Sequence, residues 1–253
     1  TMGLGWMPGG QWRAELAVTH GRDDMVMEFI DAAAFTAYGR VPVLAKFTGA
    51  DIKADGPLFM LPGGAARLAA GASWREESLD SSGFNADADG NVLLEAGFYK
   101  QRRVKSLFGE VLLPLVGADN ARPSVRRLEL SIAGRYDEYS DFDASFDPRV
   151  GMAWAPSQGL KLRAAWGTSY VTPKLKDYDN TFNAAMAVAD FPEAAGMHTL
   201  IAFGNNVTDL TPQESENRTI GFDWTPASLP GLTFGVNYFD IRYKEKIEEP
   251  TLP

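Results

Sequence analysis

The stretch Leu128-Glu-Leu-Ser-Ile-Ala-Gly-Arg-Tyr-Asp-Glu-Tyr-Ser-Asp-Phe142 fixes how the rest of the chain is read. Leu128, Leu130, Ile132, Gly134 and Tyr136 occupy alternate positions, and Arg127, Glu129, Ser131, Ala133, Arg135 and Asp137 fall between them. A strand turns successive side chains to opposite faces, so a period of two places every charge from Arg127 to Asp137 on one side. The pattern returns at once. Phe146, Pro148, Val150, Met152 and Trp154 oppose Asp147, Arg149, Gly151, Ala153 and Ala155, and Leu160, Leu162, Ala164, Trp166, Thr168 and Tyr170 oppose Lys161, Arg163, Ala165, Gly167 and Ser169. Weaker copies lie at 12–18, 68–74, 107–115, 220–224 and 232–238. Pro148 interrupts its strand, and a bulge is expected there because proline removes a ladder donor.

The connections alternate in length. Pro and Gly mark tight turns at 7–10, 61–64, 156–159 and 226–231, and longer connections are expected at about 30–52, 80–95 and 174–213, with a tight hairpin at 139–144. The count is about ten antiparallel strands in an up-and-down order, all-β, with no domain boundary.

Composition narrows the function. The 253 residues carry 24 Lys and Arg against 33 Asp and Glu, for a formal charge of −9, and no basic cluster for nucleic acid. The chain has no cysteine, which removes disulfides, thiolate metal sites and thiol nucleophiles. Its two histidines, His20 and His198, lie in no nucleophile motif, so no enzyme activity is expected. Asn85-Ala-Asp-Ala-Asp-Gly90 opens like a calcium loop, but Ala96 stands where a bidentate glutamate is needed. A polar loop is expected there, with no metal ligand and no cofactor. The apolar runs are far too short for a membrane-spanning helix.

Alternation alone also fits a soluble β-sandwich. Here the non-apolar face mixes Gly, Ala, Ser and Thr with isolated charges, as a lumen wall does. Trp12, Trp154 and Trp224 border the short turns, with Tyr136 and Tyr170 at the opposite strand ends, the distribution of two interfacial aromatic girdles. The apolar face stays uncharged for about nine residues per strand, the span of a tilted transmembrane strand. Transmembrane β-barrel wall is the expected class.

The run from Leu128, followed by Asp147-Pro-Arg-Val-Gly-Met-Ala-Trp-Ala-Pro156 and Leu160-Lys-Leu-Arg-Ala-Ala-Trp-Gly-Thr-Ser-Tyr-Val-Thr-Pro173, resembles consecutive mid-barrel strands of TonB-dependent receptors. Leu61-Pro-Gly-Gly64, Leu68-Ala-Ala-Gly-Ala-Ser-Trp-Arg-Glu76, Phe108-Gly-Glu-Val-Leu-Leu-Pro-Leu115 and Pro212-Gln-Glu-Ser-Glu-Asn-Arg-Thr-Ile-Gly-Phe-Asp223 keep the same order, so the resemblance covers nearly the whole chain. It implies a monomeric barrel of about 22 strands with a plugged lumen in the bacterial outer membrane. It also implies active import of a scarce small molecule (a siderophore or other metal chelate, a vitamin or an oligosaccharide) powered through the TonB coupling protein. Residues 1–253 then form part of the barrel domain, and the plug, the TonB-contacting motif and the later strands have no counterpart among them. The alternatives are a passive porin-like channel and a soluble β-sandwich binding module.

Two groups of residues are singled out. Glu129, Arg135, Asp137, Arg149 and Arg163 fall on the lumen face of three neighbouring strands, where each is expected to meet the plug or a partner in the wall. Tyr178, Phe182, His198, Asn205 and Asn206, with Phe191 and Phe203, lie in the longest connection, which by position is expected to touch ligand.

Overall fold

The computed structural model describes residues 1–9, 11–30, 38–86, 91–178, 185–190, 198–203, 209–229 and 231–247. Its strands are β1 Met2–Gly9, β2 Trp12–Ile30, β3 Tyr38–Leu61, β4 Gly64–Ala86, β5 Val92–Val116, β6 Arg127–Tyr139, β7 Ser145–Ser157, β8 Leu160–Val171, β9 Ala185–Asp190, β10 His198–Phe203, β11 Gln213–Trp224 and β12 Phe234–Lys244. Ten of them form one sheet in the order β1-β2-β3-β4-β5-β6-β7-β8-β11-β12, and β9 with β10 makes a separate hairpin. All neighbouring pairs are antiparallel, giving the expected up-and-down meander.

Register carries the period of two from strand to strand. Leu4, Leu16, Ile52, Ala72, Leu107, Tyr136 and Phe146 lie opposite one another in a single row across seven strands. Leu130, Met152, Ala164, Ile220 and Tyr238 continue a parallel row to the far edge. A one-residue slip at any junction would throw these side chains to the other face, so the apolar pattern itself specifies the pairing. Many remain exposed, Leu107 at 61%, Phe146 at 65% and Ile220 at 58%, as a wall facing hydrocarbon requires.

The strands on one side are longer than expected. β3, β4 and β5 run for 24, 23 and 25 residues, whereas β6 and β7 have 13 each. Most of the connections expected at 30–52 and 80–95 is therefore strand. Pro42 favours a loop by its chemistry; instead the β3–β4 ladder omits Val41 and Pro42 and resumes in the same register, from Arg40↔Phe84 to Val43↔Ser81. Pro148 makes no bulge in the β6–β7 ladder, which is continuous from Arg127↔Ala155 to Asp137↔Ser145. The β7–β8 ladder begins one residue later, at Arg149↔Gly167, so the missing donor removes nothing there. In the calcium-like stretch, Asn85 and Ala96 are laddered as Asn85↔Leu94 and Gly83↔Ala96, the arms of a hairpin; Asp87, Asp89 and Gly90 lie outside the described residues.

At the short-turn end, the β3–β4 and β5–β6 turns touch. A Cβ on Gly63 would sit 2.4 Å from the Pro114 carbonyl oxygen, and one on Gly117 would sit 2.3 Å from that of Gly63. Only glycine permits this contact. Trp12 lies over Gly56, and Trp154 donates from Nε1 to the Ser124 carbonyl at 3.0 Å, near the same turns. Tyr170 departs from the girdle expectation. Its ring packs on Tyr139 of the polar face, with centroids 5.6 Å apart.

Candidate functional site: a strap across the polar face

After β8, Pro173 cannot extend a ladder and the chain leaves the sheet. It turns through Leu175–Tyr178, a short 3₁₀ turn in which the Lys174 amide donates to Asp177 Oδ2 at 2.7 Å and the Asp177 amide to the Lys174 carbonyl at 3.0 Å. This strap does not stay beside β8. It crosses to pack on β4 and β5, four and three strands back in the sheet order. Leu175 is buried there, as are Leu79 of β4 and Val104 of β5 on the polar face.

One residue holds the crossing. Arg102 of β5, 2% exposed, donates through Nε and Nη2 to Asp141 at 2.9 Å, and through Nη1 to the Thr172 hydroxyl at 2.9 Å and the Pro173 carbonyl at 2.8 Å. Glu77 of β4 lies 3.4 Å from the same Nη1. A buried guanidinium is tolerated only when its charge and donors are answered, and here two carboxylates and two oxygens answer them. Four parts of the chain meet at this point: β4, β5, the β6–β7 turn and the strap. Beside it, Lys100 Nζ stands 3.3 Å from the centre of the Tyr178 ring. Loss of solvent lowers the Lys100 pKa and raises that of Tyr178.

The strap roofs a cavity of about 680 Å³ that reaches Gly21, Phe47, Arg75 and Glu77. That volume lies in the range of small-molecule sites.

Of the residues expected to touch ligand, Tyr178 is in the strap. His198 opens β10 opposite Asp190, and Phe203 closes that strand. Phe182, Phe191, Asn205 and Asn206 lie outside the described residues. Among the five lumen charges, Glu129 pairs with Arg127 at 2.6 Å, and Arg135 with Asp137 at 2.8 Å and with the Ser106 hydroxyl at 2.9 Å. Arg163 binds Asp223 at 2.6 and 3.0 Å and Asn237 at 3.2 Å. Arg149 lays its stem on Gly167 and has no ion pair among the described residues. The Arg163–Asp223 pair is more than a third exposed on both sides, so Arg163→Ala should cost under about 1 kcal/mol in urea unfolding of the full-length receptor. A larger loss would mean that another part of the protein covers the pair.

Sequence reading missed Arg102, Asp141, Glu77 and Lys100. Arg102 stands 39 residues from Asp141 and 71 from Pro173, and no local spacing announces such a contact.

Residues 4–253 match the family described as TonB dependent receptor-like, beta-barrel. No curated protein matches the sequence. Among solved structures, the ferripyoverdine receptor of the outer membrane of Pseudomonas aeruginosa superposes with a TM-score of 0.56 at 16% identity, over 96% of this chain and 33% of that one. The RagAB peptide transporter gives 0.55 at 12% identity, over 98% and 30%. The ferric citrate transporter FecA gives 0.53 at 12% identity, over 95% and 33%. The present chain thus spans about a third of the length of these structures, and at such identities the likeness is one of fold. The family match over nearly every residue, the ten-stranded antiparallel meander and the single apolar face converge: this chain belongs to the TonB-dependent receptor β-barrel family.

Proposed function

We propose that the chain is part of the wall of an outer-membrane receptor that imports a scarce nutrient, such as a metal chelate, a vitamin or an oligosaccharide, with energy supplied through TonB. The observation that carries this reading is the strap. Arg102 pins the root of the longest connection over the polar face, so that connection starts above the cavity instead of beside the rim. Tyr178 then faces incoming solute, and Phe182, His198, Asn205 and Asn206 on the same connection are the proposed further ligand contacts. Arg149, without an ion pair among the described residues, is the proposed meeting point with a plug, and Glu129, Arg135, Asp137 and Arg163 offer their remaining hydrogen-bonding capacity to it.

Uptake by cells carrying the full-length receptor tests this. Labelled nutrients of the three classes should accumulate only when TonB is present, and replacing residues 174–178 with a Gly-Ser segment of equal length should lower uptake about tenfold. Uptake indifferent to TonB, or passive flux that rises when the strap is removed, would instead establish a porin.

A further inference from the structure

Two aromatic rings lie on the polar face of the wall, where small and charged side chains predominate. Phe47 of β3 lies over Gly49 and Phe108 of β5 over Gly71; an added Cβ would stand 3.2 Å from the first ring and 2.4 Å from the second. With no side chain beneath, the tip of each ring reaches over the bare glycine. Covering bare glycine in this way is a known device of β-sheets, and Phe108 needs no other account. Phe47 differs in what stands beside it.

Phe47 is 38% exposed. It lies where two cavities meet, the one under the strap, about 680 Å³, and a second below it, about 440 Å³, both lined by Phe47, Arg75 and Glu77. Arg75 is directly opposite Gly49 in the β3–β4 ladder, so it rises from the residue next to the glycine that the ring covers and lines both cavities with Phe47. Two other charges at the junction are answered: Glu77 by Arg102, and Arg135 by Asp137. Arg75 has no ion pair among the described residues. The strap adds exposed Lys174 and Lys176 and β3 adds Lys46, so among the described residues four cations without an ion pair, Arg75 included, stand against the unpaired carboxylates Asp23 and Asp51, in a chain whose net charge is −9.

We infer that the joined cavity takes an anionic ligand by an aromatic ring, stacked on Phe47 with its anionic oxygens on Arg75, and that Lys174 and Lys176 draw its remaining charge from the strap. A guanidinium in this position supplies forked donors to a carboxylate or phenolate, and the open ring face supplies apolar area without demanding hydrogen bonds. This inference deepens the importer reading, on which it rests for the cavity's place on the ligand's path.

Calorimetry on the full-length receptor in detergent tests it with three soluble probes: the ferric complexes of 2,3-dihydroxybenzoate (anionic, aromatic), citrate (anionic, not aromatic) and acetohydroxamate (neutral, not aromatic). The aromatic anion should bind at least about tenfold more tightly than either of the others, and Arg75→Gln and Phe47→Leu should each weaken it about tenfold. Arg127→Gln, on the same face near the short turns, should change nothing. Citrate binding as tightly would overturn the role of the ring, and acetohydroxamate binding best would overturn that of the charge. Silence from all three probes, or indifference to both substitutions, would reject the site. Direct binding separates this from the importer question: a receptor that takes up nutrient through TonB yet fails these titrations keeps the importer and loses the aromatic-anion site, and the converse result does the opposite.

Discussion

Arg102→Met should free the strap while leaving the sheet intact. Methionine fills similar volume but answers none of the four acceptors, so the Asp141 carboxylate and the Pro173 carbonyl remain in a site where the wild-type cation is 2% exposed. Removing one partner of a buried, hydrogen-bonded pair costs about 3–5 kcal/mol, most of it the penalty on the group left behind. Arg102 joins strap to wall, so the cost falls on local opening of residues 172–178 and not on the ladders. Trypsin reads this directly, because Lys174 and Lys176 lie in the strap. Cleavage after them should rise on the order of a hundredfold or more, with unchanged thermal unfolding of the barrel. Arg102→Lys should fall between, since an ammonium cannot reproduce the forked contact with Asp141. The double variant Arg102→Met with Asp141→Leu should recover part of the loss by removing the stranded charge. Equal cleavage of wild type and Arg102→Met would show that the strap is held by something else.

Gly117→Ala should damage the opposite end of the wall. The new methyl would have to occupy space 2.3 Å from the Gly63 carbonyl oxygen and 3.0 Å from its carbon, and Gly63→Ala meets Pro114 and Val116 backbone atoms at 2.4 and 2.7 Å. Backbone held in ladders cannot step aside as a flexible side chain can, so the two turns must part. Overpacking of this kind costs about 1–3 kcal/mol, and the upper end is expected because both obstacles are main chain. The urea midpoint of the full-length receptor should fall for either variant. Gly97→Ala is the control, since its Cβ meets nothing within 4 Å. Equal midpoints for Gly97→Ala and Gly117→Ala would disprove the contact between the turns.

What the sequence disclosed follows from where the period of two is enforced. In β6, β7 and β8 an apolar face must be kept free of charge, and the alternation there can be read residue by residue. Higher on β2 the constraint lapses: Met25, Val26 and Met27 follow one another, all close to half exposed, with no period to read. The upper parts of β2–β5 therefore read as connections although their ladders continue. Tyr178 can be placed by its position in a long connection. Arg102 cannot, because an arginine on the polar face of a strand looks the same whether it meets water or clamps a segment 71 residues away. Phe47 is equally silent until the ladder puts Arg75 beside it.

The unequal strands have a consequence for access. At about 3.3 Å per residue, the 25 residues of β5 extend roughly 80 Å and the 13 of β7 roughly 43 Å. Both share the short-turn end, so the rim is oblique, with a tall bank along β3–β5 and a low sill at the Tyr139–Ser145 hairpin. The strap leaves from the low side and leans on the tall one, a beam whose root Arg102 ties to Asp141 of the sill. On the importer reading proposed here, small solutes would reach the cavity over that sill, whereas a bulky particle descending from above would strike the bank first.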